Sequence, residues 1–135
     1  MSTLKGIDIS YWQGNVDFAK VKSAVDFIIF REGYGTTIDS KFLEYVKGAK
    51  SSGIPIHGIY HFCYSLNESD VIKEAESCLK SVKNAGLGKD TIIFFDFEYD
   101  TVTKAKSKGV NLGKTQCTNF TVKFCEYVES QGYKA

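Results

Sequence analysis

Short apolar runs alternate along this chain with stretches of helical periodicity, and this alternation leaves few folds open. Strands are predicted at residues 4–10, 26–31, 54–64 and 92–98. Helices are predicted at residues 17–24, between Asp39 as N-cap and Gly53, from Ser69 to about Gly86, and from Cys117 to Gly132. Strands that are apolar on both faces, with a helix between each pair, are typical of a parallel sheet covered by helices. The sequence therefore predicts an α/β fold.

One long segment fits neither pattern. Residues 101–114 lie between the fourth strand and the last helix and are rich in lysine and glycine. We predict that they form a solvated polar loop.

Length and charge exclude several classes of protein. The 135 residues suffice for one domain with a substantial core. The formal net charge of +1 provides no basic field for binding nucleic acid. No apolar run approaches the roughly 18 to 20 residues needed to span a membrane, and residues 1–5 lead directly into a strand rather than a signal peptide. We expect a protein made in the cytoplasm, with neither a nucleic-acid nor a membrane partner.

The cysteines and histidines do not form a metal-binding pattern. The cysteines stand singly, without a C-x-x-C pair, at positions 63, 78, 117 and 125. Reduced core residues are the simplest interpretation. His57 and His61 lie on one predicted strand, with no third ligand at a supporting spacing. We therefore expect no metal site.

The run from Ile92 ends in two carboxylates, Asp96 and Glu98, spaced two residues apart. Because side chains alternate along a strand, both acids point the same way, roughly 6.6 to 7 Å apart along the backbone. Like charges in a low-dielectric site raise the pKa of one carboxyl, which keeps one acid protonated while its neighbour stays ionised. The alternative is a pair of carboxylates that cap the next element.

Polar residues gather at the carboxyl ends of all four predicted strands. They are Asp8, Ser10, Arg31, Glu32, His61, Tyr64, Asp96 and Glu98. In a closed barrel these ends converge on one mouth, whereas in an open sheet only those near a switch point share a crevice. No glycine-rich phosphate loop follows the first strand, so we favour a TIM-like barrel.

The chain is short for a complete barrel. A closed eight-stranded barrel typically needs about 200 or more residues, and residues 131–135 lie where a fifth strand would begin. We expect only the first four to five β/α units. An open sheet edge and uncovered apolar side chains favour pairing with another chain, so we expect a homo-oligomer or a strand swap.

Four sequence blocks resemble, in order and spacing, those of glycoside hydrolase family 25. These are the N-acetylmuramidase lysozymes of bacteria and of phage endolysins, also called the Chalaropsis type. The blocks are Lys5–Gly14, Phe30–Gly35, Gly58–Phe62 and Phe95–Glu98. The resemblance implies an irregular eight-stranded barrel, of which residues 1–135 are the N-terminal portion of a single catalytic domain.

The resemblance also implies roles for individual residues. Glu98 is the implied general acid, Asp96 orients the substrate's 2-acetamido group, and Asp8 is a third acid of the site. The implied substrate-binding residues are Tyr60, Tyr34, Arg31 and Tyr64. The implied substrate is bacterial peptidoglycan, cleaved at the β-1,4 bond between N-acetylmuramic acid and N-acetylglucosamine, without a metal or organic cofactor. The implied place of action is the bacterial cell wall.

Alternatives remain for single residues and for the reaction. Asp8 could instead pair with Arg31, Arg31 could organise a buried acid, and Tyr60 could belong to the core. The spacing of Asp96 and Glu98 alone leans toward the longer carboxyl separation of inverting glycosidases. We nevertheless favour a retaining route in which the substrate's own acetamido group is the nucleophile.

Two other functions stay open. A chitinase-like barrel also ends its fourth strand with acids two residues apart. Its further upstream aspartates are replaced here by Ile92 and Phe94. The other alternative is a catalytically inactive fragment or wall-binding module that keeps the three acids without the barrel that positions them.

Overall fold

A mostly parallel sheet forms the centre of the structure, a computed structural model that describes residues 3–135. Its strands are β1 (Gly6–Ile9), β2 (Phe27–Tyr34), β3 (Thr37–Ile38), β4 (Ile56–Phe62) and β5 (Ile92–Asp96). The helices are α1 (Phe18–Ala24), α2 (Phe42–Ser52), α3 (Glu68–Asn84), α4 (Tyr99–Ser107) and α5 (Lys114–Ser130), with a 3-10 helix at Tyr11–Gln13. All four predicted strands and all four predicted helices are present. None of the helices described is long and apolar enough to cross a membrane.

The order of the strands distinguishes a barrel from an open sheet. The parallel strands lie in the order β1-β2-β4-β5, so each new strand is added on the same side. A doubly wound sheet reverses this order at a switch point, whereas a barrel does not. Beyond β5, Lys134 forms a parallel bridge with Ile92, and the Ile93 N–H donates to the Lys134 carbonyl at 2.8 Å. The predicted α/β class and barrel-like winding are confirmed.

The two faces of the sheet differ in burial. The face toward the helices is closed, because Phe30 packs on Tyr45 of α2 and Phe95 packs on Phe124 of α5. The strand residues buried in this core are Ile9, Ile28, Phe30, Ile59 and Ile93. The opposite face is open, and the Phe94 side chain is 39% exposed on it. Helices therefore cover one side of the sheet, while the other side is the concave interior of an incomplete barrel.

The predicted polar loop at residues 101–114 is wrong in its first half, since α4 occupies Tyr99–Ser107. The N–H of Glu98 donates to Thr101 Oγ1 at 3.1 Å at the start of this helix. Thr101 and Ala105 are buried one turn apart, while the lysines between and after them face outward. Lysine is a good helix former, and its abundance here marks an exposed helix face rather than a loop.

The region after β2 also differs from the prediction. β2 continues past Arg31 to Tyr34 and pairs with the short antiparallel strand β3. Gly35 has a φ of +57° in the connecting turn, which favours glycine. Asp39 is not the N-cap of α2, since that position is taken by Lys41. Asp39 Oδ1 still accepts a hydrogen bond from the Lys41 N–H at 2.9 Å, while Asp39 Oδ2 binds partners outside the helix.

Behind the sheet, His61 of β4 lies between two buried carboxylates. Its Nδ1 is 2.7 Å from Glu32 Oε1, and its Nε2 is 2.7 Å from Glu74 Oε1 of α3. The Ser65 hydroxyl donates to the other Glu74 oxygen. Burial acts to lower the pKa of His61, but the hydrogen bonds and charges of Glu32 and Glu74 outweigh it and raise the pKa to about 9. The ring is therefore an imidazolium at neutral pH.

This arrangement corrects the expectation that Glu32 and His61 belong to the mouth of the barrel. The pairing of β2 with β4 shifts register between Arg31 and Gly33, so Glu32 is the extra residue of a bulge. Glu32 and His61 are each only 1% exposed, on the side of the sheet that faces the helices. Arg31 and Tyr60, in contrast, lie on the concave side.

We expect His61→Gln to destabilise the protein strongly. The substitution leaves two buried carboxylates without their cation, which costs about 3 to 5 kcal/mol in free energy of unfolding. Since the folded-state pKa is raised above 6.5, the stabilisation is complete below pH 6.5 and is lost as the pH rises through about 9. Urea denaturation at pH 6 and pH 9.5 measures both effects.

The matched control is His57→Gln, because His57 is an exposed histidine of the same strand. It should change the unfolding midpoint little at either pH. Equal midpoints for the parent and His61→Gln would contradict the assignment of a charged, stabilising His61.

Candidate active site

A cleft of about 650 Å³ opens at the carboxyl ends of the parallel strands. Six of the seven sequence-predicted site residues line it: Arg31, Tyr34, Tyr60, Tyr64, Asp96 and Glu98. They come from β2, β4, β5 and the segments that follow β4 and β5. Parallel strands bring their carboxyl ends to the same edge, so side chains that are distant in sequence meet here.

The carboxyl groups of Asp96 and Glu98 interact directly. Asp96 is the last residue of β5, and Glu98 directly precedes α4. Burial, a hydrogen bond with Glu98 and the charges of Glu98 and Asp8 raise the pKa of Asp96 to about 7. Both side chains line the same cleft, as their spacing predicts, and the raised pKa favours the protonated form of Asp96.

Asp8 reaches the same acids from the other side. It lines a neighbouring hollow of about 400 Å³ together with Tyr60, Asp96 and Glu98. Asp8 is paired with Ile29 of β2 and is itself exposed on the concave face. Its charge is one of the causes that raise the pKa of Asp96. All three predicted acids therefore converge on one site.

Tyr60 lies between these acids and Arg31. Burial raises the pKa of its phenol, Arg31 opposes the rise, and the charges of Asp8 and Asp96 add to it. The ring lines both the cleft and the neighbouring hollow. Tyr60 is thus a neutral hydroxyl at neutral pH, available as a hydrogen-bond donor, and it is not enclosed in the core.

Arg31 organises one wall of the cleft through a buried acid. Its Nε donates to Asp39 Oδ2 at 2.8 Å, and the Tyr11 N–H donates to the same oxygen at 3.0 Å. Its guanidinium also lies 5.0 Å from the centre of the Tyr34 ring. The salt-bridge partner of Arg31 is Asp39 rather than Asp8, and the pair anchors the 3-10 helix that follows β1.

Aromatic rings form much of the remaining wall. Tyr34 and Tyr64 meet edge to face, with ring centres 6.1 Å apart. Tyr11 and Trp12, on the 3-10 helix, also line the cleft. The Trp12 side chain is 72% exposed, so its indole face is open to solvent. Exposed aromatic faces of this kind provide apolar surface for a ligand.

The sequence did not indicate every lining residue. The lining residues outside the predicted set are Ser10, Tyr11, Trp12, Ser40, Phe62, Asp100 and Lys104. Asp100 and Lys104 belong to α4, most of which falls within the predicted loop at residues 101–114. Thr101 and Ala105 lie four residues apart, which is the spacing of one helical turn, and both are buried in the structure. This spacing was the signal in the sequence that could have indicated the helix.

One group of possible metal ligands lies outside the cleft. Glu32, His61 and Cys78 offer ligand atoms within 4.8 Å of one another. Both ring nitrogens of His61 are already hydrogen-bonded to carboxylates, and burial raises the pKa of the Cys78 thiol, which keeps it protonated. Metal binding requires a free imidazole nitrogen and a thiolate. These residues therefore do not fit a metal site.

Sequence comparison identifies the family. The model of glycosyl hydrolases family 25 matches residues 7–135, and the chain belongs to this family. The autolytic lysozyme of Clostridium acetobutylicum is 33% identical over 133 residues, which cover 96% of this chain and 36% of that protein. Lysozyme M1 of Streptomyces globisporus is 40% identical over 63 residues, which cover 45% of this chain and 21% of that protein. The chain thus spans roughly a third or less of these curated relatives.

Structural comparison agrees. The modular autolysin LytC of Streptococcus pneumoniae, solved in complex with a synthetic peptidoglycan ligand, matches with a TM-score of 0.80 and 25% identity, over 99% of this chain and 32% of that one. The catalytic domain of endolysin ply40, from bacteriophage P40 of Listeria monocytogenes, matches with a TM-score of 0.78 and 27% identity, over 96% of this chain and 59% of that one. The predicted family resemblance is confirmed.

We expect the carboxyl carbon of Asp96 to titrate near pH 7 in the free protein. Burial is the largest cause of this raised pKa, and the hydrogen bond and charge of Glu98 add to it, so Glu98→Gln should move the titration to lower pH. Carbon-13 NMR of the side-chain carboxyls measures this directly. Because the folded-state pKa lies above 3.8, the free energy of unfolding of the parent should also fall as the pH rises from about 4 to 7. Titration of Asp96 near pH 4 in both proteins would contradict the coupled pair.

Proposed function

We propose that this cleft hydrolyses the β-1,4 bond between N-acetylmuramic acid and N-acetylglucosamine in bacterial peptidoglycan. The observation that carries the proposal is the convergence of Asp8, Asp96 and Glu98 at the open end of the strands, where burial and the neighbouring acids raise the pKa of Asp96 to about 7. Membership of glycosyl hydrolases family 25 supports the reaction class. The peptidoglycan ligand of LytC supports the substrate.

The cleft suits a glycan. Its volume of about 650 Å³ lies within the ordinary range for ligand pockets. Trp12 and the tyrosines offer flat apolar faces to sugar rings, while Asp100 and Ser40 offer hydrogen-bond partners to their hydroxyls. The fixed Arg31–Asp39 pair holds the 3-10 helix that carries Trp12. A ligand therefore meets a largely preformed wall.

Glu98 is the proposed general acid. In this route the acetamido oxygen of the muramic acid unit attacks C1 while Glu98 donates its proton to the glycosidic oxygen. The bond from C1 to the leaving oxygen breaks, and a cyclic oxazolinium ion forms. Water then adds at C1 and gives its proton to Glu98, which opens the ring and releases the sugar with its anomeric configuration retained.

Asp96 is the proposed partner of the acetamido group. Its carboxylate would accept a hydrogen bond from the acetamido N–H and stabilise the positive charge of the oxazolinium ion. In the free site the pKa of Asp96 is raised to about 7, which favours its protonated form. A bound amide N–H favours the ionised form of Asp96, so the proton passes to Glu98, where the reaction needs it.

Asp8 and Tyr60 complete the proposed site. The Asp8 charge adds to the field that retains a proton on the acid pair. The Tyr60 phenol lies beside Asp96 and Glu98 and can donate a hydrogen bond to the sugar at the cleavage point. The cleft walls formed by Tyr34, Arg31 and Tyr64 would hold the neighbouring sugars. No step requires a metal or an organic cofactor.

A second candidate is a catalytically inactive, wall-binding fragment. It is favoured by the open concave face, on which Asp8 and Phe94 are exposed. The chitinase-like alternative lacks such support. Whether the chain is an active muramidase or an inactive wall-binding fragment, we propose that it is made in the cytoplasm and acts at the cell wall.

We expect Glu98→Gln to abolish wall lysis. Loss of a positioned general acid typically lowers the rate about 10²- to 10⁴-fold. The measurement is turbidity clearing of Gram-positive cell walls, with a reducing-end assay of the products. Glu76→Gln is the matched control, because Glu76 is exposed on α3 outside the cleft. Clearing that Glu98→Gln retains would overturn the role of Glu98, and no clearing by the parent would favour the inactive fragment.

We expect the newly formed reducing end to have the retained β configuration. In the acetamido-assisted route the acetamido oxygen attacks C1 from the face opposite the leaving oxygen, and water then adds from the original face, so the configuration at C1 is retained. Proton NMR of the anomeric signals during early hydrolysis distinguishes the two products. An initial α anomer would reject the acetamido-assisted route while leaving the substrate assignment intact.

A further inference from the structure

A second hollow, here called the annex, adjoins the catalytic cleft. Its volume is about 400 Å³, and it lies between the β2–β3 turn, the start of α3 and the outer part of α4. Tyr34, Tyr64 and Lys104 line both the annex and the cleft. A ligand in the cleft can therefore extend a branch into the annex without leaving the surface of the protein.

Three lysines give the annex an unpaired positive charge. Lys73 of α3 and Lys104 and Lys108 of the α4 end line it, and none of them forms a salt bridge with any residue in the range 3–135. Surface lysines are ordinarily solvated, but here their side chains surround one concave space. Because all three line the same hollow, an anion inside it would lie in their combined positive field.

The two carboxylates of the annex are engaged by the protein itself. Asp70 Oδ2 accepts a hydrogen bond from the Leu66 N–H at 3.1 Å. Glu74 accepts hydrogen bonds from Ser65 and interacts with the cationic His61. Three ammonium groups against two carboxylates leave one positive charge in excess. The annex therefore favours an anionic ligand over a cationic or neutral one.

The wall shared by the two spaces is built for a chain rather than for a free ion. Lys104 Nζ lies 5.1 Å from the centre of the Tyr64 ring, which places its charge at the junction. The Tyr34 and Tyr64 rings provide apolar surface on the same wall, and Thr36 and Thr37 provide exposed hydroxyls beyond it. Along this wall, apolar rings are followed by hydroxyls and ammonium groups. These groups can contact the side chains, the backbone and the carboxylates of a bound acidic peptide.

We propose that the annex binds the carboxylate-bearing peptide attached to the muramic acid unit of the substrate. This inference rests on the proposed function, since that unit must occupy the cleft. The peptide is linked covalently to the sugar, so binding of the sugar raises its effective concentration at the annex. Lys73, Lys104 and Lys108 are thus specificity-determining residues that favour peptide-bearing glycans over unsubstituted ones.

The test compares two ligands that differ by one charge. They are N-acetylmuramoyl-L-alanyl-D-glutamic acid and its D-isoglutamine counterpart, in which a carboxamide replaces one carboxylate. We expect the parent to bind the acid about two- to fivefold more tightly per lysine engaged, the range of exposed ion pairs. The double variant Lys73→Gln, Lys108→Gln should keep only the part of this preference that Lys104 provides. NMR titration of the full chain measures both dissociation constants without requiring turnover.

Lys106→Gln is the matched control, because Lys106 is an exposed lysine of α4 that lines neither space. It should keep the preference of the parent for the acid. Equal binding of acid and amide by the parent, or an unchanged preference in the double variant, would overturn the proposal. So would a failure of both ligands to bind.

A second measurement separates this inference from the proposed function. The parent and the double variant are compared on peptide-free glycan, prepared by amidase treatment, and on intact peptidoglycan. We expect equal rates on the peptide-free glycan and a higher KM for the double variant on the intact wall, with kcat unchanged. Equal KM values for the parent and the double variant on the intact wall would overturn peptide binding by the annex and leave the proposed function intact. Absence of hydrolysis of either substrate by the parent would overturn the proposed function, and the binding preference would then decide the annex by itself.

Discussion

The imidazolium of His61, held between Glu32 and Glu74, is the interaction on which the cleft depends. It joins β2, β4 and α3 directly behind the site. Charges that are removed from water this completely are tolerated only when paired at close range, and here both ring nitrogens are satisfied. Because side chains alternate along a strand, fixing His61 toward the helices also fixes Tyr60 and Phe62 toward the cleft. The buried hydrogen bonds of His61 on the helix side of the sheet therefore help to orient the side chains that line the cleft on the other side.

Much of the fold could be predicted from periodicity. Strands apolar on both faces, alternating with helices, indicate a parallel sheet, and polar residues at every strand end indicate a barrel mouth. The segment at 101–114 was misassigned because lysine and glycine were interpreted as loop composition, although Thr101 and Ala105 are buried one turn apart in α4. The β2–β3 hairpin was missed because β3 has only two residues, too few to show any pattern.

The candidate site was predictable where it depends on a single strand. The spacing of Asp96 and Glu98 placed both acids on one face, and the structure brings Asp8, Tyr60, Tyr34, Arg31 and Tyr64 around them. Glu32 also follows the alternation of its strand, because Ile28 and Phe30 face the helices and Glu32 continues their side. Its assignment to the mouth was wrong because a charged residue near a strand end was expected to face solvent. The annex could not be predicted, because its walls depend on how α4 packs relative to α3. Local patterns specify directions along one element, whereas packing decides which elements meet.

The anchoring of the 3-10 helix has an optical consequence. Trp12 is the single tryptophan of the chain, and its indole stands in solvent while the backbone beside it is tied to the buried Asp39. Its emission should already resemble that of a hydrated indole in the folded protein, so unfolding changes its surroundings little. A sugar stacked on the cleft wall would instead displace water from the ring. The intrinsic fluorescence of this protein therefore reports occupancy of the cleft rather than loss of the fold.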